Sequence, residues 1–357
     1  AINQSIMYNT FIQMHKNKTK NSKRSETMKK NLSFLLAILL AASIVTGCSS
    51  GGDTNSDSGT KPENTFISIA TGGTGGTYYP LGGAIAKIFN ENIEGVTANA
   101  QSTGASVENI NLISQGEAEV GFVQNDVAYY AWTGSETFQD KEKVTNIRGM
   151  AMLYPEVIQI IATKDSGIQS VEDLKGKKVA VGAPGSGTEV NARQILAEYD
   201  LTYDDLGKAD YLSFNEASDQ LKNKQIDAAF VTAAIPTSAV TEVTQTADIV
   251  IVSLDKEKIA SLKQKYPFYT EVIIPKDSYK NQNEDVVAAA VMAMLIVPED
   301  LDEDLVYNMT KSIFENRQII IDTHDKGNDI KLETALEGMP IDLHPGAEKY
   351  YVEQGIK

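Results

Sequence analysis

The sequence predicts an α/β protein of two lobes, each a mostly parallel sheet with flanking helices, the lobes joined by hinge strands. Three observations predict it. Short β-branched apolar runs alternate with segments of helical spacing, the rhythm of a parallel sheet covered by helices. The rhythm restarts after one long apolar segment, so the two halves imitate each other. In each half a strand ends in a Gly/Ser/Thr-rich loop that opens a helix, which places several helix starts at the carboxyl edges of the sheets.

The elements follow in order. TFISIA (65–70) reads as a strand, and TYYPLGGAIAKIFNENI as a helix through Leu81, Ile85, Ile88 and Phe89. VTANAQ, the helix SVENINLISQGEA and the strand VGFVQ complete the first series. MAMLYPEVIQIIATKD is long and apolar, a first hinge strand near 154–163. The second series is KKVAVG, the helix TEVNARQILAEYD, ADYLSF, the helix ASDQLKNKQ, IDAAFVTA and ADIVIVSL. FYTEVIIP, near 268–275, is expected to return the chain to the first lobe, which closes with AAAVMAMLIVPE and helices around LDEDLVYNMTKSIFENRQI and GAEKYYVEQG. The first lobe is then discontinuous, 65–153 plus 276–357, around a second lobe of 154–275.

Ahead of the folded part, Met28-Lys29-Lys30 precedes the apolar run Leu32–Val45, the length of a signal peptide rather than of a membrane span. It ends in Val45-Thr46-Gly47-Cys48, which resembles a bacterial lipobox, so Cys48 is the expected lipidation site and 28–47 the signal. Residues 1–27 read as an upstream extension that is not native, and 48–64 as a flexible polar tether. The chain is then anchored extracytoplasmically to the outer face of the membrane. A lysine- and asparagine-rich start and a long tether point to a Gram-positive surface, a periplasm being the other reading. Cys48 is the single cysteine, which excludes an intramolecular disulfide and a thiolate metal site. Processing would leave 25 Lys/Arg against 47 Asp/Glu, a net −22, which argues against nucleic acid as a partner. No metal, no cofactor and no catalytic residue are expected, and a monomer is.

The stretch GAPGSGT, Gly182–Thr188, bears on function most directly. Gly182 and Gly187 have the spacing of a phosphate loop, but Thr188 stands where its lysine belongs. TGGTGGTYY and QSTGAS are two more such loops, and none of the three contains lysine or arginine. Helix starts carry unpaired N–H groups and about half a positive charge. Three of them facing each other make a site for a small anion, a carboxylate sooner than a triphosphate. The candidate ligand-binding residues are Thr74, Gly75, Gly76, Thr77 and Tyr78 in the first loop; Thr103, Gly104, Ser106 and Asn109 in the second; Gln124 and Asp126 at the end of VGFVQ; and Ser186, Gly187, Thr188 and Glu189 in the third. Capping alone accounts for Thr103, Ser106 and, through the box Ser186–Glu189, for Glu189. Asp126 is placed to receive an ammonium group or to cap a helix. Pro236 reads as structural, and His344 as closing the C-terminal helix.

Segments such as TGGTGGTYYPLGGAIAKIFN, QSTGASVENINLISQGEAEVGFVQNDVAY, VGAPGSGTEVNARQIL, IDAAFVTAAIPT and LHPGAEKYYVEQG, in order over about 65–355, resemble the TAXI family, extracytoplasmic solute-binding subunits of one class of TRAP transporters. The resemblance implies a type II periplasmic-binding-protein-like fold and a receptor, not an enzyme, that delivers glutamate, glutamine or a dicarboxylate to integral TRAP permease subunits. Two other readings stay open: a binding lipoprotein of an ABC importer, and an enzyme using the same cleft with a degenerate phosphate loop.

Overall fold

The computed structural model describes residues 64–357; the signal-like run and Cys48 lie outside them. The first series builds β1 (Thr65–Ala70), α1 (Tyr78–Asn92), β2 (Val96–Gln101), α2 (Ser106–Ser114), β3 (Val120–Gln124) and α3 (Asn125–Thr133). β4 (Ile147–Thr163) carries the chain across to β5 (Lys178–Ala180), α4 (Gly187–Glu198), β6 (Lys208–Asp210), α5 (Phe214–Lys222), β7 (Ala228–Ala233), α6 (Ser238–Thr246), β8 (Ile249–Val252), α7 (Lys256–Lys265) and β9 (Thr270–Ile274). β10 (Val286–Pro298) returns it to α8 (Glu303–Glu315), α9 (Arg317–Thr323) and α10 (Pro345–Glu353).

The strands join in the order β2-β1-β3-β10-β4-β7-β5-β6. The order β2-β1-β3-β10 on one side is repeated on the other as β6-β5-β7-β4, with the first three strands parallel and the fourth antiparallel in each case. Each half is thus completed by a strand that runs on into the other half. Burial follows the same plan. Met150, Ala151, Leu153 and Tyr154 of β4 pack with β1, α1 and α8 in one core, whereas Ile158, Ile160 and Ala162 pack with β5, α4 and β7 in a second. β10 divides likewise, Ala293, Leu295 and Val297 in the first core and Ala289 and Val291 in the second.

The second crossing strand is therefore not at 268–275. Those residues form β9, an edge strand antiparallel to β10, and the crossing lies one hairpin later. Tyr279, expected in the first lobe, packs with Ile161, Ala229 and Val231 in the second. A strand pair switches cores where its ladder is weakest. Pro155, which has no N–H to donate, faces Met292, and the register slips between Met292 and Met294. The Met292 N–H goes instead to Asn125 Oδ1 at 3.0 Å.

Candidate functional site

A cavity of about 60 Å³ lies between the two halves, room for a few non-hydrogen atoms where one water needs roughly 10–15 Å³. Four helix starts converge on it. Gly76, Thr77 and Tyr78 open α1, Ala105 and Ser106 open α2, Ser186 and Gly187 open α4, and Ser213 and Phe214 open α5. Three of these were legible as glycine-rich loops; the fourth lies within LSF and has no glycine to advertise it. Among the described residues no lysine or arginine lines the cavity. Arg193 of α4 is held elsewhere, at 3.4 Å from Glu136 and 3.6 Å from Glu189.

Local geometry explains each start. At Ser186 the hydroxyl caps α4 by accepting from the Glu189 N–H at 3.1 Å. Ala105, ahead of α2, has φ 76°, a region that residues with a Cβ rarely enter. That strained turn brings Thr103–Ser106 against the cavity. Gly182 has φ 105°, and a Cβ there would lie 2.8 Å from Ser186 Oγ and 2.9 Å from the Glu189 nitrogen, so the turn into α4 requires glycine.

Of the residues expected from the sequence, Gly76, Thr77, Tyr78, Thr103, Gly104, Ser106, Gln124, Ser186, Gly187 and Thr188 line the cavity. Five do not. Thr74 and Gly75 bridge the halves just outside it: Asn215 Nδ2 donates to Thr74 Oγ1 at 3.1 Å and the Ala239 N–H to the Gly75 carbonyl at 3.1 Å. Asn109 is buried and donates to the Thr71 and Phe122 carbonyls at 2.6 and 2.7 Å, tying the ends of β1 and β3. Thr103 Oγ1 donates to Asn109 Oδ1 at 2.6 Å, so Asn109 acts through the loop. Glu189 is engaged by Arg193 and accepts from the Tyr203 hydroxyl at 2.8 Å. Asp126 lies behind the cavity, accepting from Asn191 Nδ2 of α4 at 3.1 Å; a side-chain amide, not a solute ammonium, meets it. Pro236 lies outside the cavity, and His344 caps α10, its Nδ1 accepting from the Gly346 N–H at 3.2 Å.

Glu156, Thr232, Ala233, Ser213 and Phe214 line the cavity without having been singled out. Glu156 sits beside Pro155 where β4 changes cores, inside a run that reads as plain apolar strand. It is 2% exposed and accepts from the Tyr78 hydroxyl at 2.5 Å. Burial raises its carboxyl to about 8, the Tyr78 hydrogen bond opposing and the Asp126 charge adding to the rise. Opposite, Gln124 Oε1 is buried with no hydrogen-bond partner, and a Cβ on Gly187 would come within 2.1 Å of it. Thus α4 of one half meets a side chain of the other at Gly187, and the Gln124 amide would have to move to admit a larger residue there.

The halves touch on both sides of the cavity. The Val107 and Glu108 N–H groups both reach the Gly185 carbonyl, at 3.0 and 3.2 Å, and the Ala234 N–H donates to Thr77 Oγ1 at 3.2 Å. The arrangement is closed. Among the described residues no cluster of three or more His, Cys, Asp or Glu has the placement to hold a metal, and no helix is long and apolar enough to cross a membrane.

Residues 69–355 match the model of the NMT1-like family. Among solved structures, PhnD1 from Prochlorococcus marinus, solved in complex with methylphosphonate, superposes with a TM-score of 0.51 at 9% identity, over 82% of this chain and 96% of that one. A binding protein component of an ABC phosphonate transporter from Pseudomonas aeruginosa gives 0.48 at 12%, over 75% and 81%. The alkanesulfonate-binding protein SsuA from Xanthomonas axonopodis pv. citri, bound to MOPS, gives 0.45 at 13%, over 81% and 84%. At such identities the likeness to PhnD1 shows the fold, the two-lobed periplasmic-binding-protein type. The family match corrects the TAXI assignment made from the sequence, and the TRAP permease loses its support with it.

Proposed function

The chain belongs to the NMT1-like family, and from that premise we propose that it is an extracytoplasmic solute-binding receptor that captures a small oxyanion by closure of its two lobes and hands it to a membrane importer of the ABC type. The observation that carries this reading is the convergence of four helix starts on one cavity with no cationic side chain in its wall among the described residues. Backbone N–H groups and helix dipoles hold anions without arginine. The hydroxyls of Thr77, Ser106, Ser186 and Thr188 add donors that can turn to suit a carboxylate, sulfonate or phosphonate. PhnD1 was solved with methylphosphonate, an oxyanion of this size, which supports the class and not one member of it. Anchoring through a lipid on Cys48 belongs to the same proposal.

The test is a thermal-shift panel on residues 64–357 with succinate, L-glutamate, methanesulfonate, methylphosphonate and ATP. A receptor is stabilised by RT ln(1 + [L]/Kd), about 2.7 kcal/mol at a hundredfold excess over Kd. One oxyanion of the first four should raise Tm; a shift with ATP alone would overturn the reading.

A further inference from the structure

Among the described residues Glu156 is the one charged side chain in the wall of the cavity, and it faces the same space as four positive helix starts. Two negative groups in a cavity of this size repel, the more so because Glu156 is buried and poorly screened by water. On the reading above, the solute brings the second. Tyr78 donates to Glu156 Oε2, which leaves Oε1 to carry a hydrogen. We propose that Glu156 is a specificity-determining residue that binds the solute as the neutral acid, donating its hydrogen to an oxyanion, so that capture depends on the proton Glu156 holds and weakens where that proton is lost.

The surroundings agree with this from every side. Tyr78 of α1, Asp126 of α3 and Tyr154 of β4 itself are the titratable groups around it. β7 and β10, which flank β4, contain no titratable residue at all. No lysine, arginine or histidine contributes to holding the carboxylate form, and the burial that lifts the carboxyl to about 8 keeps it protonated near neutrality before any solute arrives. A carboxylic acid kept neutral by an apolar setting is a strong hydrogen-bond donor to an anion. The consequence for selection is that groups with lone pairs to offer are accepted, whereas a solute that presents an ammonium to Glu156 would need the ionised form.

The experiment rests on the oxyanion reading and separates from it. Kd is measured by calorimetry from pH 6 to 9 in cationic buffers for succinate, methanesulfonate and L-glutamate, whose charges are nearly constant over that range, with methylphosphonate beside them. The expected result is an affinity that is level at low pH and falls about tenfold per pH unit once Glu156 titrates. Glu156→Gln, whose amide still donates, should bind within a few fold of the parent and lose the pH dependence, while Glu156→Ala should bind at least tenfold more weakly. Tyr78→Phe, which removes the donor to Oε2, should move the midpoint to higher pH. Oxyanion binding that is flat or strengthens with pH, or L-glutamate binding abolished by Glu156→Gln, overturns the proposal and leaves the oxyanion reading standing. No saturable binding of any of the four by the parent overturns both.

Discussion

Asp126 shows how burial at a single residue sets a property of the closed form. Its side chain is fully buried in the first turn of α3, with Oδ2 accepting from Asn191 Nδ2 at 3.1 Å and Oδ1 without a partner. Burial raises the carboxyl from 3.8 to about 7, and the helix and Asn191 hydrogen bonds only partly counter it. The folded value lies above the unfolded one, so the contribution to stability is full below about pH 4 and is lost as pH rises through about 7. By pH 8 the loss amounts to roughly 4 kcal/mol at 1.36 kcal/mol per unit, since opening the lobes or unfolding lets the carboxylate meet water. Asp126→Asn removes the ionisation. Thermal melts should show the variant more stable than the parent at pH 8, with a smaller difference at pH 5. A parallel pH dependence in both proteins would mean that another group controls it.

The contacts that close the cleft are made by loops meeting loops, and glycine decides how near they come. A Cβ on Gly104 would lie 2.6 Å from the Pro184 carbonyl oxygen across the cleft, a backbone atom that cannot step aside. Gly104→Ala should therefore fold normally with the lobes apart and bind any panel anion at least tenfold more weakly. Small-angle scattering of the variant should stay at the open dimension when anion is added. A contraction equal to the parent's would refute the role given to this contact. At the hinge, legibility had limits that physics explains. The strand–loop–helix rhythm and the first crossing were readable because β-branched runs and glycine loops are local signals. FYTEVIIP misled because an edge strand and a crossing strand share one composition; which of them crosses is settled by pairing with distant residues, here β10 against β4. Glu156 escaped notice for the same reason: a lone acid in LYPEVIQII looks like a surface position until β7 and β10 cover both sides. Ser213 and Phe214 come to the cavity only through the packing of the second half.

For the molecule as a whole, the chain enters and leaves through the same half: Ile67 of β1 and Tyr350 of α10 share one core. The second half hangs on two strands, β4 and β10, that pass each other where Pro155 meets Met292. Rotation there needs few hydrogen bonds to break, and hinge closure about such a point is a standard response to a solute that touches both sides. The exchange of strands also has a consequence for anyone who would take the protein apart. Residues 64–154 lack β10 and residues 156–275 lack it as well, so each piece leaves an unpaired β3 or β4 edge that invites sticking to other chains. Produced singly, each piece should be insoluble or oligomeric by size-exclusion chromatography; a monomeric, cooperatively melting piece would contradict this. Duplication of one ancestral half and later swapping of its last strand would produce such interdependence, after which neither half can be lost, replaced or borrowed without its twin.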